Sequence, residues 1–187
     1  MKSACVRWTA VAIAIGVVAS AKAGAQTTTL SADIMKDWKV QRETMMRIAE
    51  AMPDDKFGYK STPPQRSWGE QILHVAGGNV FLMRFLNAKA PAPAINQSDM
   101  VVFGLKASTK AEYLKALSDS FDYGEAALKE FSDAQLTETV KGPPWMGPST
   151  RVRMVYDAIA HCQDIYGQMA VYLRLNGIVP PASRRGV

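Results

Sequence analysis

Apolar side chains recur with helical spacing in four stretches of the chain, and no stretch alternates with the two-residue period of a half-buried strand. In the first, Ile34, Trp38, Gln41, Met45, Ile48 and Met52 step by fours and threes to form one stripe with a single polar member, and Pro53-Asp54 stops it. The second opens on Ser67-Trp68-Gly69-Glu70, a capping box in which hydroxyl and carboxylate satisfy the free amides of a helix start, and it runs to about Asn87. The third opens on a second such box, Thr109 to Glu112, and carries Leu114, Leu117, Phe121, Gly124, Leu128 and Phe131 on one side. The fourth begins near Thr150 and ends at Asn176-Gly177, where glycine supplies a left-handed cap and Pro180-Pro181 prevents continuation. At that extent it is about 40 Å long.

Four amphipathic helices of such length predict an all-α fold, a four-helix bundle. The connection "AKAPAPAINQSDMVVFGLKAS" between helices two and three is long and proline-marked, which predicts that the chain crosses over there instead of turning back in a hairpin. Long connections of this kind often act as lids; a solvated link, with Trp145 of "GPPWMGP" packed on the bundle end, accounts for them equally well.

The opening "MKSACVRWTAVAIAIGVVASAKAGAQ" stands apart from this pattern. Lys2 and Arg7 precede a short apolar run, and Ala23-Gly24-Ala25 forms a small-x-small site before Gln26. The stretch reads as a cleavable signal peptide over residues 1–25, leaving a single domain over residues 26–187 that is periplasmic or secreted. Its apolar run is below the ~18 residues of a spanning helix, and the small-x-small site favours cleavage over an uncleaved anchor. Of 22 basic residues the leader removes Lys2, Arg7 and Lys22 and no acid, so 19 face 17 acidic ones, a net charge of +2. That balance offers no electrostatic case for nucleic acid or for an anionic membrane. Cys5 leaves with the leader, so Cys162 stands alone and the core must hold the domain without an internal disulfide. A chain of this size buries roughly two-thirds of its unfolded surface.

The chain has two histidines. On a helical wheel His74 falls at the margin of helix two, and His161 at the margin of helix four, on a row with Met154, Ala158, Ile165 and Tyr172. Two imidazoles projecting inward from different helices are what a metal site inside a bundle needs. A partly buried imidazole hydrogen-bonded to a carbonyl or to Tyr166 fits the pattern as well. Gly77-Gly78, two glycines in mid-helix, cost roughly 2 kcal/mol relative to alanine, so another helix or a ligand must approach that backbone closely. Gly-x-Ser-x-Gly, glycine-rich phosphate loops and Cys-x-x-Cys pairs do not occur.

The succession "WKVQRETMMRIAEAMPDDKFGYKSTPPQRSWGEQILHVAGGNVFL" and then "HCQDIYGQMAVYLRLNGIVPPAS" resembles the DinB-like family, damage-inducible-protein-like four-helix bundles that also include thiol-dependent transferases. The resemblance covers about Ser31 to Ser183. It implies a metal site, usually zinc or nickel, made by one histidine of helix two and a His-x-x-x-His pair of helix four. His74 matches the first ligand and His161 the second, while Ile165 occupies the third position. Asp157, Asp164 and Glu70 lie on the polar side or in the cap; Cys162, Gln41 and Asn79 are inward-facing candidates to complete the set.

Taken with the leader, which predicts export, the resemblance implies a domain with a degenerate metal site, holding a divalent ion weakly or not at all, and acting as a ligand-binding or stress-associated module with an unidentified small-molecule partner. The alternative it leaves open is a metal-dependent hydrolase or thiol transferase using an open two-histidine site. Ten methionines and the apolar faces leave a homodimer open as well, although core filling explains most of the methionines.

Overall fold

The computed structural model describes residues 28–184, so the leader at 1–25 and Arg185 lie outside the described residues. The described chain is mostly helical. In order it forms α1 (Leu30–Glu50), α2 (Trp68–Met83), α3 (Lys110–Leu128), the one-turn α4 (Asp133–Leu136), β1 (Thr139–Lys141), β2 (Pro148–Thr150) and α5 (Arg151–Leu175). No described helix is long and apolar enough to cross a membrane.

Local chemistry sets these ends. Both capping boxes form, with the Ser67 and Thr109 amides donating to Glu70 and Glu112. The α1 start is tied across the molecule, where the Leu30 and Ser31 amides donate to the Asp133 carboxylate at 3.0 and 2.9 Å. α5 closes as expected, with Gly177 at φ 73° and the Ile178 amide on the Leu173 carbonyl. α2 stops earlier than the apolar pattern suggests: it tightens into a 3-10 turn over Arg84–Leu86, and Asn87 takes the left-handed conformation at φ 58°.

Contacts between helices give their directions. Lys110 at the start of α3 reaches the Met52 carbonyl just past the end of α1, so these two are antiparallel. Gln71 meets Gln168, and Arg151 meets the Leu86 carbonyl, so α2 and α5 are antiparallel too. Asn79 meets Ser120, and the Lys89 amide meets Glu130, which makes α2 and α3 parallel. α1 and α2 each pack on both α3 and α5. With α2 and α3 parallel, the segment from Asn87 to Thr109 has to return along the whole of α2.

That return explains the main departure from the wheel. Every residue of α2 from Trp68 to Met83 except Glu70 is buried, so its margin is interior. An all-round buried helix needs cover on its outer face, and the crossing segment supplies it. Asp99 holds that segment in shape by accepting from the Val101, Val102 and Gly104 amides at 3.0, 3.3 and 2.9 Å. Phe103, at φ 55° and almost fully buried, is thereby driven against α2.

The core centres on Trp38, whose ring lies 5.0 Å from Phe121 and whose Nε1 donates to the Phe121 carbonyl. Gly124 makes room for it, since a Cβ there would fall 2.2 Å from the indole. Each large side chain buried at this level contributes about 1.5–3 kcal/mol. The β1–β2 hairpin, paired Thr139 to Thr150, and the single turn of α4 are features the periodicity does not signal. Elements of three or four residues are too short for a period to register.

Candidate functional site

His74, in mid-α2, is 8% exposed, and its Nδ1 lies 3.0 Å from the Val101 carbonyl oxygen of the crossing segment. A carbonyl only accepts, so Nδ1 carries the proton and Nε2 is left as a bare acceptor. His161 of α5 brings its Nε2 to 3.0 Å from that atom, with the ring centroids 4.8 Å apart. His161 Nε2–H therefore donates to His74, and the buried His161 Nδ1 is an acceptor with no protein partner. The structure thus brings the two sequence-predicted imidazoles into direct contact.

The two glycines explain how the rings fit. A Cβ at Gly77 would stand 2.3 Å from the Phe103 ring, and one at Gly78 would stand 2.7 Å from Cε1 of His161. What approaches this backbone is a loop aromatic and an imidazole of α5. Phe103 also covers the outer side of the pair, 5.8 Å from the His74 ring and 5.9 Å from Phe81, on which the 62%-exposed Trp145 stacks.

Electrostatics keep the pair neutral. Burial first, then the Arg66 charge, then His161 bring the His74 pKa down to about 4. Burial and Arg66 also lower that of His161, against the opposing pull of Asp164 and Asp157. Arg66 itself is half-buried just before the α2 cap, with Nη1 donating to Gln71 at 3.2 Å. Gln71 in turn donates to Gln168 at 2.9 Å, and Tyr172 donates to the Arg66 carbonyl at 2.8 Å.

The further donors weighed from sequence are engaged elsewhere. Ile165, one turn past His161, is buried and offers no donor. Cys162 is fully buried with its thiol pushed up to about 12 by burial, and it donates to Asn79, which donates to Ser120 on α3. Glu70 serves the cap and an ion pair with Lys60. Gln163 donates to Gln41, whose own Nε2 has no protein partner. Among the described residues no group of three or more His, Cys, Asp or Glu is arranged to hold a metal ion. Two imidazoles that spend their facing atoms on each other do not fit the three-ligand site the family resemblance implies.

Sequence reasoning missed Arg66 and Val101. Arg66 had a signal, a basic residue directly before the Ser67 cap. Val101 acts through its carbonyl, which no side-chain pattern marks. A surface cleft of about 530 Å³ lies elsewhere, between the end of α1, Tyr166 and the segment around Pro181.

A family model described as the DinB superfamily matches residues 37–169. Among solved structures, a DinB-like protein from Bacillus cereus ATCC 10987 superimposes with a TM-score of 0.68 at 16% identity, covering 82% of this chain and 96% of that one. A DinB-like protein from Bacillus subtilis gives a TM-score of 0.60, also at 16% identity, over 82% of this chain and 99% of its own. At such identity the likeness concerns the fold. Among curated proteins none matches the chain.

Proposed function

The chain belongs to the DinB superfamily, and from that premise we propose that it is an exported four-helix-bundle module whose metal site is degenerate and which binds a small ligand beside His74 and His161. The observation that supports this reading is the 3.0 Å His161–His74 hydrogen bond, with the buried, donorless Ile165 at the chain position that the family resemblance gives to a third ligand. A divalent ion would have to break that bond, displace the proton on His161 Nε2 and recruit donors that the described residues do not place there. Structural zinc sites total ~10–16 kcal/mol, so the loss of one ligand removes several.

The test is elemental analysis of mature protein purified without a chelating tag. The expected result is far less than one equivalent of zinc or nickel, and a gain on Ile165→His, which restores the third donor. About one equivalent in the wild type, lost on His161→Ala, would overturn the reading in favour of a metal-dependent hydrolase or thiol transferase. The close approach of two imidazole Nε2 atoms is what favours that second reading. Export rests on the leader at 1–25, and N-terminal sequencing of the secreted or periplasmic protein should begin at Gln26.

A further inference from the structure

The crossing segment is pinned at both ends and loosely seated between them. Glu130 takes the Lys89 and Ala90 amides at 2.7 Å each, Arg84 holds the Pro93 carbonyl at 3.2 Å, and Glu112 takes the Ser108 and Thr109 amides at 2.7 and 3.0 Å. From Ala94 to Ala107 the described hydrogen bonds stay inside the stretch, with one exception, the 3.0 Å bond from His74 Nδ1 to the Val101 carbonyl. The same stretch has one buried side chain, Phe103 at 2% exposed, with Ile95 half-buried against the core. Residues 94–107 are therefore a compact knob, ordered by its own bonds and seated on α2 chiefly by one ring and one hydrogen bond. Few contacts have to break for it to move, while the helices beneath keep theirs.

The seat of Phe103 is a slot. Its floor is the bare backbone of Gly77, where a Cβ would collide with Cβ and Cγ of Phe103. Its walls are the His74 and Phe81 rings, at 5.8 and 5.9 Å from the Phe103 ring. A bulky residue at φ 55° is held there only by its surroundings. Here those surroundings belong to the knob: the Phe103 amide donates to the Asp99 carbonyl, and its carbonyl accepts from the Asn96 amide, both at 2.7 Å. The ring is thus aimed by the knob and leaves with it. Its departure empties a flat space one ring thick and takes the Val101 carbonyl away from His74, which leaves Nδ1–H as a free donor beside that space.

We infer that residues 94–107 are a lid that lifts off α2 as one body with Phe103 as its plug, and that the vacated slot admits a flat aromatic ligand carrying a hydrogen-bond acceptor for His74 Nδ1–H. The room for this ligand is the room that Phe103 fills. The ligand class rests on the reading that the histidine pair binds a small molecule and not a metal; the movement of the lid does not.

The test uses the full mature chain, treated with chelator. Diethyl pyrocarbonate, which acylates neutral imidazole, reports access to His74 and His161 by mass spectrometry, at neutral pH and in urea below the unfolding transition. A lid that moves whole exposes little surface, so the rate should stay nearly flat as urea is added. A rate that climbs with the urea slope of global unfolding would overturn the lid. Gly77→Ala leaves no room for a seated Phe103 and should raise the rate by about tenfold or more; an unchanged rate counts against the plug. Acetophenone should shift the His74 ring signals in NMR. Cyclohexyl methyl ketone, with the same acceptor on a puckered ring, and ethylbenzene, flat without an acceptor, should shift them far less. No response to acetophenone, or an equal response to either control, would overturn the ligand class. If Gly77→Ala fails to fold, the urea series on the wild type decides the lid alone. About one equivalent of metal before chelation would sink the ligand reading and leave the lid result standing, so the two fail separately.

Discussion

Gly78→Ala and Gly167→Ala form a matched pair that tests how the histidine site is built. Both glycines lie inside helices, and both replacements recover about 0.5–1 kcal/mol of backbone entropy. At exposed Gly167 a new Cβ meets nothing within 4 Å, so that gain should appear in full as stabilisation. At Gly78 the Cβ lands 2.7 Å from Cε1 and 3.0 Å from Nδ1 of His161, so the ring must move. Overpacking costs typically about 1–3 kcal/mol, and a moved ring also weakens its bond to His74, worth about 1 kcal/mol net. Gly78→Ala should therefore destabilise by roughly 1–3 kcal/mol, some 2–4 kcal/mol below Gly167→Ala. In a domain of this size that separates the melting temperatures by roughly 4–16 °C. Urea denaturation of both variants, with the two histidine ring signals followed by NMR, measures it. A Gly78→Ala protein as stable as Gly167→Ala, with unshifted imidazole signals, would show that the glycine is not there to admit His161.

Three further outcomes follow from the same geometry. His74 has a folded pKa of about 4 against 6.5 in the unfolded chain. The unfolded state thus takes up more protons between those values, so the stability from keeping the ring neutral is full above pH 6.5 and falls away toward pH 4, by about 3 kcal/mol in all. His161 acts in the same sense; denaturation across this window should show the decline, and His74→Gln should flatten it. Asp99→Ala removes the acceptor for three loop amides, so limited proteolysis within residues 96–104 should accelerate while the helical circular dichroism persists. Asn79→Ala cuts the buried link between Cys162 and Ser120 and should cost about 2–3 kcal/mol in urea unfolding.

The helix starts at Ser67 and Thr109 and the stop at Gly177 were legible because caps are local chemistry, with both partners a few residues apart. The convergence of His74 and His161 was legible because a periodic helix fixes which face each residue occupies. The depth of the site was not: a wheel sees one helix, whereas the cover over α2 comes from a segment more than twenty residues away. Gly77 and Gly78 announced a close approach without naming what approached, since an absent side chain records only that space is needed. Which nitrogen of each imidazole carries the proton depends on the Val101 carbonyl, a group every residue carries.

The neighbour pattern of the long helices also governs how the chain can assemble. α1 packs chiefly on α3 and α5, and its direct link to α2 is the Trp68 indole on the Ala49 carbonyl near its end. As the polypeptide emerges, the stripe from Ile34 to Met52 therefore stays without its mate until Lys110 and the turns after it exist, and the last face closes only when Arg151–Leu175 arrives. Pairings between helices so far apart in sequence must close long loops before they stabilise anything, and this leaves a newly made chain open long after its first helix is complete.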